Sequence, residues 1–132
     1  MNENLRKIID SSTFTVHSGE WLYAKVSEVP SLDNCFMVAK DNDEITAVFE
    51  REKRSNLKII EENKDLRRLI ELKVSVPFYA AGFLATVTGA ISAKGCNNLV
   101  ISTYSKDYVM VTLEHLEKAK EALLELGFKE DD

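Results

Sequence analysis

The chain has 132 residues, of which 45% are hydrophobic and 30% are charged, and its net charge is −5 at neutral pH. This length and balance predict an ordinary globular protein with one full domain or two small ones sharing a core. No basic face is interleaved with aromatic residues and no apolar run is long enough to span a bilayer, which excludes nucleic acid and membrane as expected partners. Two cysteines without metal-site or redox spacing, and no secretory leader, indicate reduced, buried thiols in a cytoplasmic protein.

The first half of the chain predicts one short helix followed by strands. Apolar residues recur on one side of residues 4–10, as in an amphipathic helix. Two aromatic and β-branched runs, residues 14–17 and 21–27, flank Ser18 and Gly19 and predict a hairpin. Further along, a strand pair is expected at residues 35–39 and 45–49, followed by one or two helical turns within residues 50–57 and a strand at residues 58–60.

The second half shows clearer periodicity. Residues 70–76 alternate between apolar and polar side chains, which predicts a strand with one buried face, ended by Pro77. A helix over residues 80–94 is predicted to end at Gly95. A hairpin of residues 98–104 and 108–112 is expected next. The last expected element is a helix that is capped by Thr112 and ends at Gly127. Its apolar stripe consists of Leu116, Ala119, Leu123 and Leu126.

A weak internal repeat divides the chain. The motif Lys-Val-Ser occurs at Lys25 and again at Lys73, and the strand pattern around Phe36 recurs around Leu99. The first copy is shorter by about one helix of the length predicted for residues 80–94. The repeat predicts a shortened N-terminal module of residues 1–65 and a full C-terminal module of residues 66–132, although chance similarity between Val- and Lys-rich strands is the alternative explanation.

The segment from Gly82 onward, GFLATVTGAISAKGCNNLVISTYSKDYVMV, together with its continuation LEHLEKAKEALLELGF, resembles the ACT domains of aspartate kinases and a family of small stand-alone tandem ACT proteins. The N-terminal half also resembles the first module of that family, which is similar to the cytosolic arginine sensors. The resemblance implies an α+β fold of two ferredoxin-like βαββαβ modules in tandem, with antiparallel sheets and helices on one face. It also implies a regulatory, allosteric amino-acid-binding protein with the ligand held at the module interface.

A ligand site is expected at the start of the helix that begins near residue 80. The first backbone N–H groups of a helix lack partners within it, and the helix dipole makes this end positive, so a ligand carboxylate fits there. By resemblance, the strand of residues 99–103 lies beside the helix start and its carbonyls accept from a ligand ammonium. The candidate ligand-binding residues are Phe78, Ala81, Gly82, Phe83, Leu84, Asn98, Ile101, Ser102 and Asp107. Two alternatives stay open: Gly82 allows close helix packing, and Asn98 and Asp107 are ordinary turn residues.

No enzyme activity, cofactor or metal is expected. His17 and His115 share no motif that pairs them with a nucleophile, and Cys96 has no base beside it in the sequence. The expected partners are an amino acid or similar small carboxylate and a second copy in a homodimer. A rival interpretation is a structural module without a ligand, in which the uncharged strand of residues 97–101 is a sheet edge that pairs with another copy or another protein.

Overall fold

A computed structural model of the protein describes residues 1–74 and 80–131. The helices are α1 (Glu3–Asp10), α2 (Phe83–Ala93) and α3 (Leu116–Leu126), with short 3₁₀ helices at Leu32–Asn34, Arg51–Asn56 and Leu113–His115. The strands are β1 (Thr13–Val26), β2 (Met37–Lys40), β3 (Ile45–Glu50), β4 (Ile59–Glu62), β5 (Arg67–Lys73), β6 (Asn98–Ser102), β7 (Asp107–Thr112) and β8 (Lys129–Glu130). The predicted α+β class is confirmed. Within the described part of the chain, no helix is long and apolar enough to span a bilayer.

Packing divides the chain into two compact units. The first unit comprises Met1–His17 and Arg68–Asp132, and the second comprises Ser18–Arg67. The first 17 residues therefore pack with the C-terminal part of the chain. The two modules predicted from the sequence repeat, residues 1–65 and 66–132, have other bounds than these packing units and stay a prediction.

In the first unit the strands lie in the order β1, β5, β7, β6. β6 and β7 form the predicted antiparallel hairpin, in which Asn98 pairs with Val111 and Ser102 with Asp107, so that Asp107 lies in the strand and not in the turn. The short strand β8 pairs in parallel with the start of β1 and was not predicted. The core of this unit combines buried apolar side chains of the strands with those of all three helices: Leu5, Ile9, Phe14, Ile70, Leu72, Phe83, Val87, Ile91, Val109, Val111 and Leu123.

In the second unit β3 lies between β2 and β1 and is antiparallel to both. This confirms the predicted strand pair in the middle of the first half. β4 also pairs antiparallel with β1. The unit has its own apolar core of Leu22, Ala24, Val26, Ala47, Phe49 and Leu57.

The hairpin predicted at Ser18 and Gly19 was wrong, because β1 runs without interruption from Thr13 to Val26. Gly19 has a φ of +91° inside this strand, a conformation that glycine adopts at little cost. A Cβ at this position would lie 3.0 Å from Oε2 of Glu50. Gly19 thus marks an irregular point within the strand instead of a chain reversal. A glycine between two strand-like runs occurs in both kinds of structure, so the sequence alone does not distinguish them.

The prediction that β5 buries only one face was also wrong. Leu69, Ile70, Glu71 and Leu72 are all buried, and Glu71 is only 5% exposed. Alternation of apolar and charged residues predicts a solvent-facing carboxylate only when the charge has no partner inside the protein. Glu71 has two such partners, described below.

The two C-terminal helices follow their predicted positions with one difference. α2 begins at Phe83, three residues later than predicted, and Gly95 follows its end with a φ of +83°. α3 ends before Gly127, as predicted. Thr112 was predicted to cap α3, but it precedes a 3₁₀ helix, and its Oγ1 lies 3.1 Å from Nδ1 of His115.

Candidate functional site

A pocket of about 400 Å³ lies in the first unit between the start of α2 and the β6–β7 hairpin. One wall consists of Ala80, Gly82, Phe83, Leu84 and Ala85, and the other of Ser102, Thr103, Tyr104, Lys106 and Asp107. The first wall is apolar apart from its backbone, and the second carries hydroxyl groups, a carboxylate and an ammonium group. This division of chemistry suits a small molecule with both charged and apolar parts.

The conformation of Gly82 sets where α2 begins. Gly82 is the N-cap residue, with φ +86° and ψ 0°, and it brings no side chain to cap the helix. Its carbonyl accepts from the N–H of Thr86 at 2.9 Å, and the carbonyl of Ala80 accepts from the N–H of Phe83 at 3.2 Å. The N–H groups of Leu84 and Ala85 belong to the first turn, whose donors have no acceptor within the helix. The backbone therefore gives this wall of the pocket a partial positive charge.

The opposite wall holds the carboxylate of Asp107 in place. Ser102 Oγ donates to Asp107 Oδ1 at 2.5 Å, and the two residues are directly paired across β6 and β7. The turn between the strands is closed by a hydrogen bond of 2.8 Å from the N–H of Thr103 to the carbonyl of Lys106. Because both strands fix it, Asp107 presents a negative charge at a defined position of the pocket wall.

Lys106 connects the pocket with a buried carboxylate on β5. Its Nζ lies 3.0 Å from Oε2 of Glu71, while Nε2 of His17 lies 2.8 Å from Oε1 of the same side chain. Burial raises the pKa of Glu71, but the hydrogen bonds and charges of His17 and Lys106 outweigh burial and hold this pKa below its usual value. The same contact raises the pKa of Lys106. Both groups therefore remain charged at neutral pH.

The structure brings five of the nine predicted site residues to this pocket: Gly82, Phe83, Leu84, Ser102 and Asp107. Ala81 is exposed beside the pocket without lining it, and Ile101 is buried. Asn98 is at the other end of β6, where its Nδ2 donates to Ser92 Oγ at 3.2 Å. Phe78 lies outside the described residues.

Lys106, Thr103 and Tyr104 line the pocket but were not predicted as site residues. Thr103 and Tyr104 were predicted as the end of a strand and Lys106 as part of a turn, and neither pattern indicates a role in binding. Tyr104 is 93% exposed. No group of three or more His, Cys, Asp or Glu side chains suited to a metal ion occurs in residues 1–74 and 80–131.

Comparison with known proteins gives a family match in the C-terminal part of the chain. The family model of the ACT domain matches residues 67–125, which include both walls of the pocket. No curated protein matches the chain. ACT domains are regulatory modules that bind small ligands, typically amino acids.

Solved structures share the fold at low sequence identity. A protein of unknown function from Vibrio cholerae, described as a possible transport protein, has a TM-score of 0.81 at 24% identity, covering 95% of this chain and 97% of that chain. A protein from Agrobacterium tumefaciens has a TM-score of 0.68 at 21% identity, covering 91% of this chain and 92% of that chain.

The regulatory subunit of aspartate kinase from Thermus thermophilus, in its ligand-free form, has a TM-score of 0.62 at 9% identity, covering 86% of this chain and 95% of that chain. The family match and this shared fold confirm the resemblance to aspartate kinase regulatory domains. Residues 67–125 are therefore similar to the ACT domain, and the chain shares the fold of an aspartate kinase regulatory subunit.

Proposed function

We propose that this protein is a regulatory amino-acid sensor without catalytic activity, and that its ligand binds in the pocket between the start of α2 and the β6–β7 hairpin. One observation carries the proposal: a partial positive charge at the helix start faces a fixed carboxylate, Asp107, across a pocket of about 400 Å³. An amino acid presents the complementary pair of charges on one carbon atom.

The carboxylate of the ligand is expected at the start of α2. The backbone N–H groups of Leu84 and Ala85 have no acceptor within the helix, and Gly82 has no Cβ to obstruct an approaching anion. Addition of a Cβ at Gly82 would meet no atom of the described residues within 4 Å, so the space in front of the helix is open.

The ammonium group of the ligand is expected at the hairpin. Asp107 supplies a carboxylate there, and Ser102, which lines the same wall, adds further acceptor oxygens. The apolar part of the ligand would then contact Phe83 and Leu84. The pocket volume is within the range of about 300–1,000 Å³ that is common for small-molecule sites.

A thermal-shift screen against the twenty amino acids tests the proposal. A ligand that binds only the folded state stabilises it by about 2.7 kcal/mol at a concentration of 100 times Kd, which corresponds to several degrees in Tm. We expect a dose-dependent shift with at least one amino acid and no shift with nucleotides. Absence of any shift with amino acids, in protein shown to be folded, would contradict the sensor hypothesis.

Gly82→Asp tests the location of the site. It places a negative charge where the ligand carboxylate is expected, and we predict a loss of affinity of about tenfold or more from like-charge repulsion. Gly82→Asn is the matched control, because asparagine has nearly the same size and a similar tolerance for positive φ without the charge. Isothermal titration of both variants measures the difference. Equal affinities of the Gly82→Asp and Gly82→Asn variants for the amino acid would show that the ligand carboxylate binds elsewhere.

A second candidate function is assembly through the edge of the sheet, without a ligand. β6 is the last strand in the order of the first unit, and Val100 on this strand is 39% exposed. An exposed edge strand with an apolar side chain is suited to pairing with another strand. This function predicts a dependence on protein concentration or on a partner, whereas a sensor responds to an amino acid.

A further inference from the structure

Lys106 is positioned at the pocket, but its charge is already engaged. Its side chain lines the pocket and is 49% exposed, while its Nζ forms an ion pair of 3.0 Å with Glu71. A lysine side chain has several rotatable bonds and can turn toward a ligand if it is released. Whether Lys106 attracts a ligand therefore depends on how firmly Glu71 holds it.

Glu71 holds Lys106 firmly because the Glu71 carboxylate is buried and water cannot solvate its charge in place of Lys106. Its side chain is only 7% exposed, and each of its carboxylate oxygens has one basic partner, His17 on Oε1 and Lys106 on Oε2. A buried carboxylate that loses a partner pays the cost of an uncompensated charge. A ligand that draws Lys106 away would impose that cost.

The remaining charges of the pocket match one ammonium and one carboxylate. The start of α2 accommodates the carboxylate and Asp107 accommodates the ammonium, since Asp107 has no ion pair among the described residues. A second carboxylate on the ligand would find no unpaired cation among the described residues that line the pocket, and it would be repelled by Asp107. A ligand with an uncharged side chain needs no further cation, and its side chain is not repelled by the charge of Asp107.

From this arrangement, and on the basis of the proposed amino-acid site, we propose that the pocket selects amino acids whose side chains carry no negative charge, and that Glu71 is the positioning residue that enforces this selection by holding Lys106 away from the ligand. Glu71 does not line the pocket. It acts on specificity through Lys106 alone.

The unmodified protein provides the first test. Isothermal titration compares two pairs of ligands of nearly equal shape, asparagine with aspartate and glutamine with glutamate. In whichever pair binds, we expect the affinity for the neutral amino acid to exceed that for the acidic one by about tenfold or more, because like-charge contacts in a binding site are strongly unfavourable. Equal affinity, or a preference for the acidic member, would overturn the inference without any variant having to fold.

Glu71→Gln provides the second test. It frees Lys106 and should reduce the preference for the neutral member by about tenfold, and the double variant Glu71→Gln, Lys106→Met should restore the preference. The readout is a ratio of affinities within one protein, which a general loss of stability does not change. A ratio in Glu71→Gln equal to that of the unmodified protein would overturn the inference.

His17→Gln is the matched control. It removes the other partner of Glu71 and leaves the pair with Lys106, so the ratio of affinities should stay unchanged. A shift as large as that in Glu71→Gln would show that release of Lys106 is not the cause. If no amino acid binds the folded, unmodified protein, the proposed function itself fails; if one binds but the ratios do not follow this pattern, only the specificity inference fails.

Discussion

The carboxylate of Glu71 is charged although it is almost completely removed from water. Such a group is tolerated because His17 and Lys106 each contact one of its oxygens, at 2.8 Å and 3.0 Å. Buried ion pairs of this kind contribute little net stability, yet removal of one partner typically costs about 3–5 kcal/mol. The cluster therefore makes the protein sensitive to changes at any of its three residues.

This cluster predicts part of the acid sensitivity of the fold. Because the pKa of Glu71 is lower in the folded state than its usual value, the carboxylate stabilises the fold above the unfolded-state pKa of about 4.3, and this contribution is lost as the pH falls through the folded-state pKa. Tm measured from about pH 7 to about pH 3 should fall less steeply for Glu71→Gln than for the unmodified protein. Glu117→Gln is the control, since Glu117 is 84% exposed. Parallel curves for all three proteins would contradict the prediction.

Sequence reasoning recovered some residues of the pocket and missed others for a physical reason. Gly82 and its neighbours were predicted because a helix start has recognisable chemistry in the sequence. Lys106 was missed because its role depends on Glu71, which is 35 positions earlier in the chain and becomes its neighbour only through packing. Asn98 and Ser102 lie at opposite ends of one strand, and the sequence alone does not tell which end faces the helix start.

At the level of elements, periodicity predicted the β6–β7 hairpin and the two C-terminal helices closely. It failed for β1, because glycine marks both turns and irregular points within strands. It failed for β5, because alternation cannot distinguish a solvated face from a face covered by paired charges. In both cases tertiary contacts, which local sequence does not encode, decided the outcome.

α2 contains a glycine that the described structure does not explain. Gly89 lies in the middle of the helix and is exposed, and a Cβ there would meet no described atom within 4 Å. Gly89→Ala should raise the free energy of unfolding by about 0.5–1 kcal/mol, because glycine is unfavourable in a helix interior. Gly89→Ser should raise it less. Urea unfolding measures both changes, and a decrease in stability for Gly89→Ala would indicate that this helix face packs against another molecule.

For the whole molecule, the two packing units each have an apolar core. The unit that contains the pocket is built from both ends of the chain, since β1 and β8 pair although more than 100 residues separate them. Sequence repeats predicted a domain in the second half of the chain, residues 66–132, and this division stays a prediction. They did not reveal the contribution of residues 1–17, since pairing between distant strands leaves no periodic signal.

The oligomeric state provides a test at this scale. If copies of the chain associate through the β6 edge, Val100→Lys should shift the protein toward the monomer, because a charged side chain on an edge strand opposes pairing. Leu124→Lys, at a position on α3 that is 49% exposed, is the control and should not change association. Sedimentation velocity over a range of concentrations distinguishes these outcomes. Identical behaviour of both variants would argue against the β6 edge as an interface.

The two cysteines, Cys35 and Cys96, have a practical consequence for solution work. Burial raises the pKa of the Cys35 thiol, and Cys96 is buried with its Sγ 3.9 Å from the carbonyl of His115. The raised pKa of Cys35 slows formation of the thiolate that reacts with alkylating dyes, and burial limits the access of these dyes to Cys96. A cysteine introduced at the exposed pocket residue Ala85 would be labelled first, so a fluorescent reporter of pocket occupancy can be built without removing either native thiol.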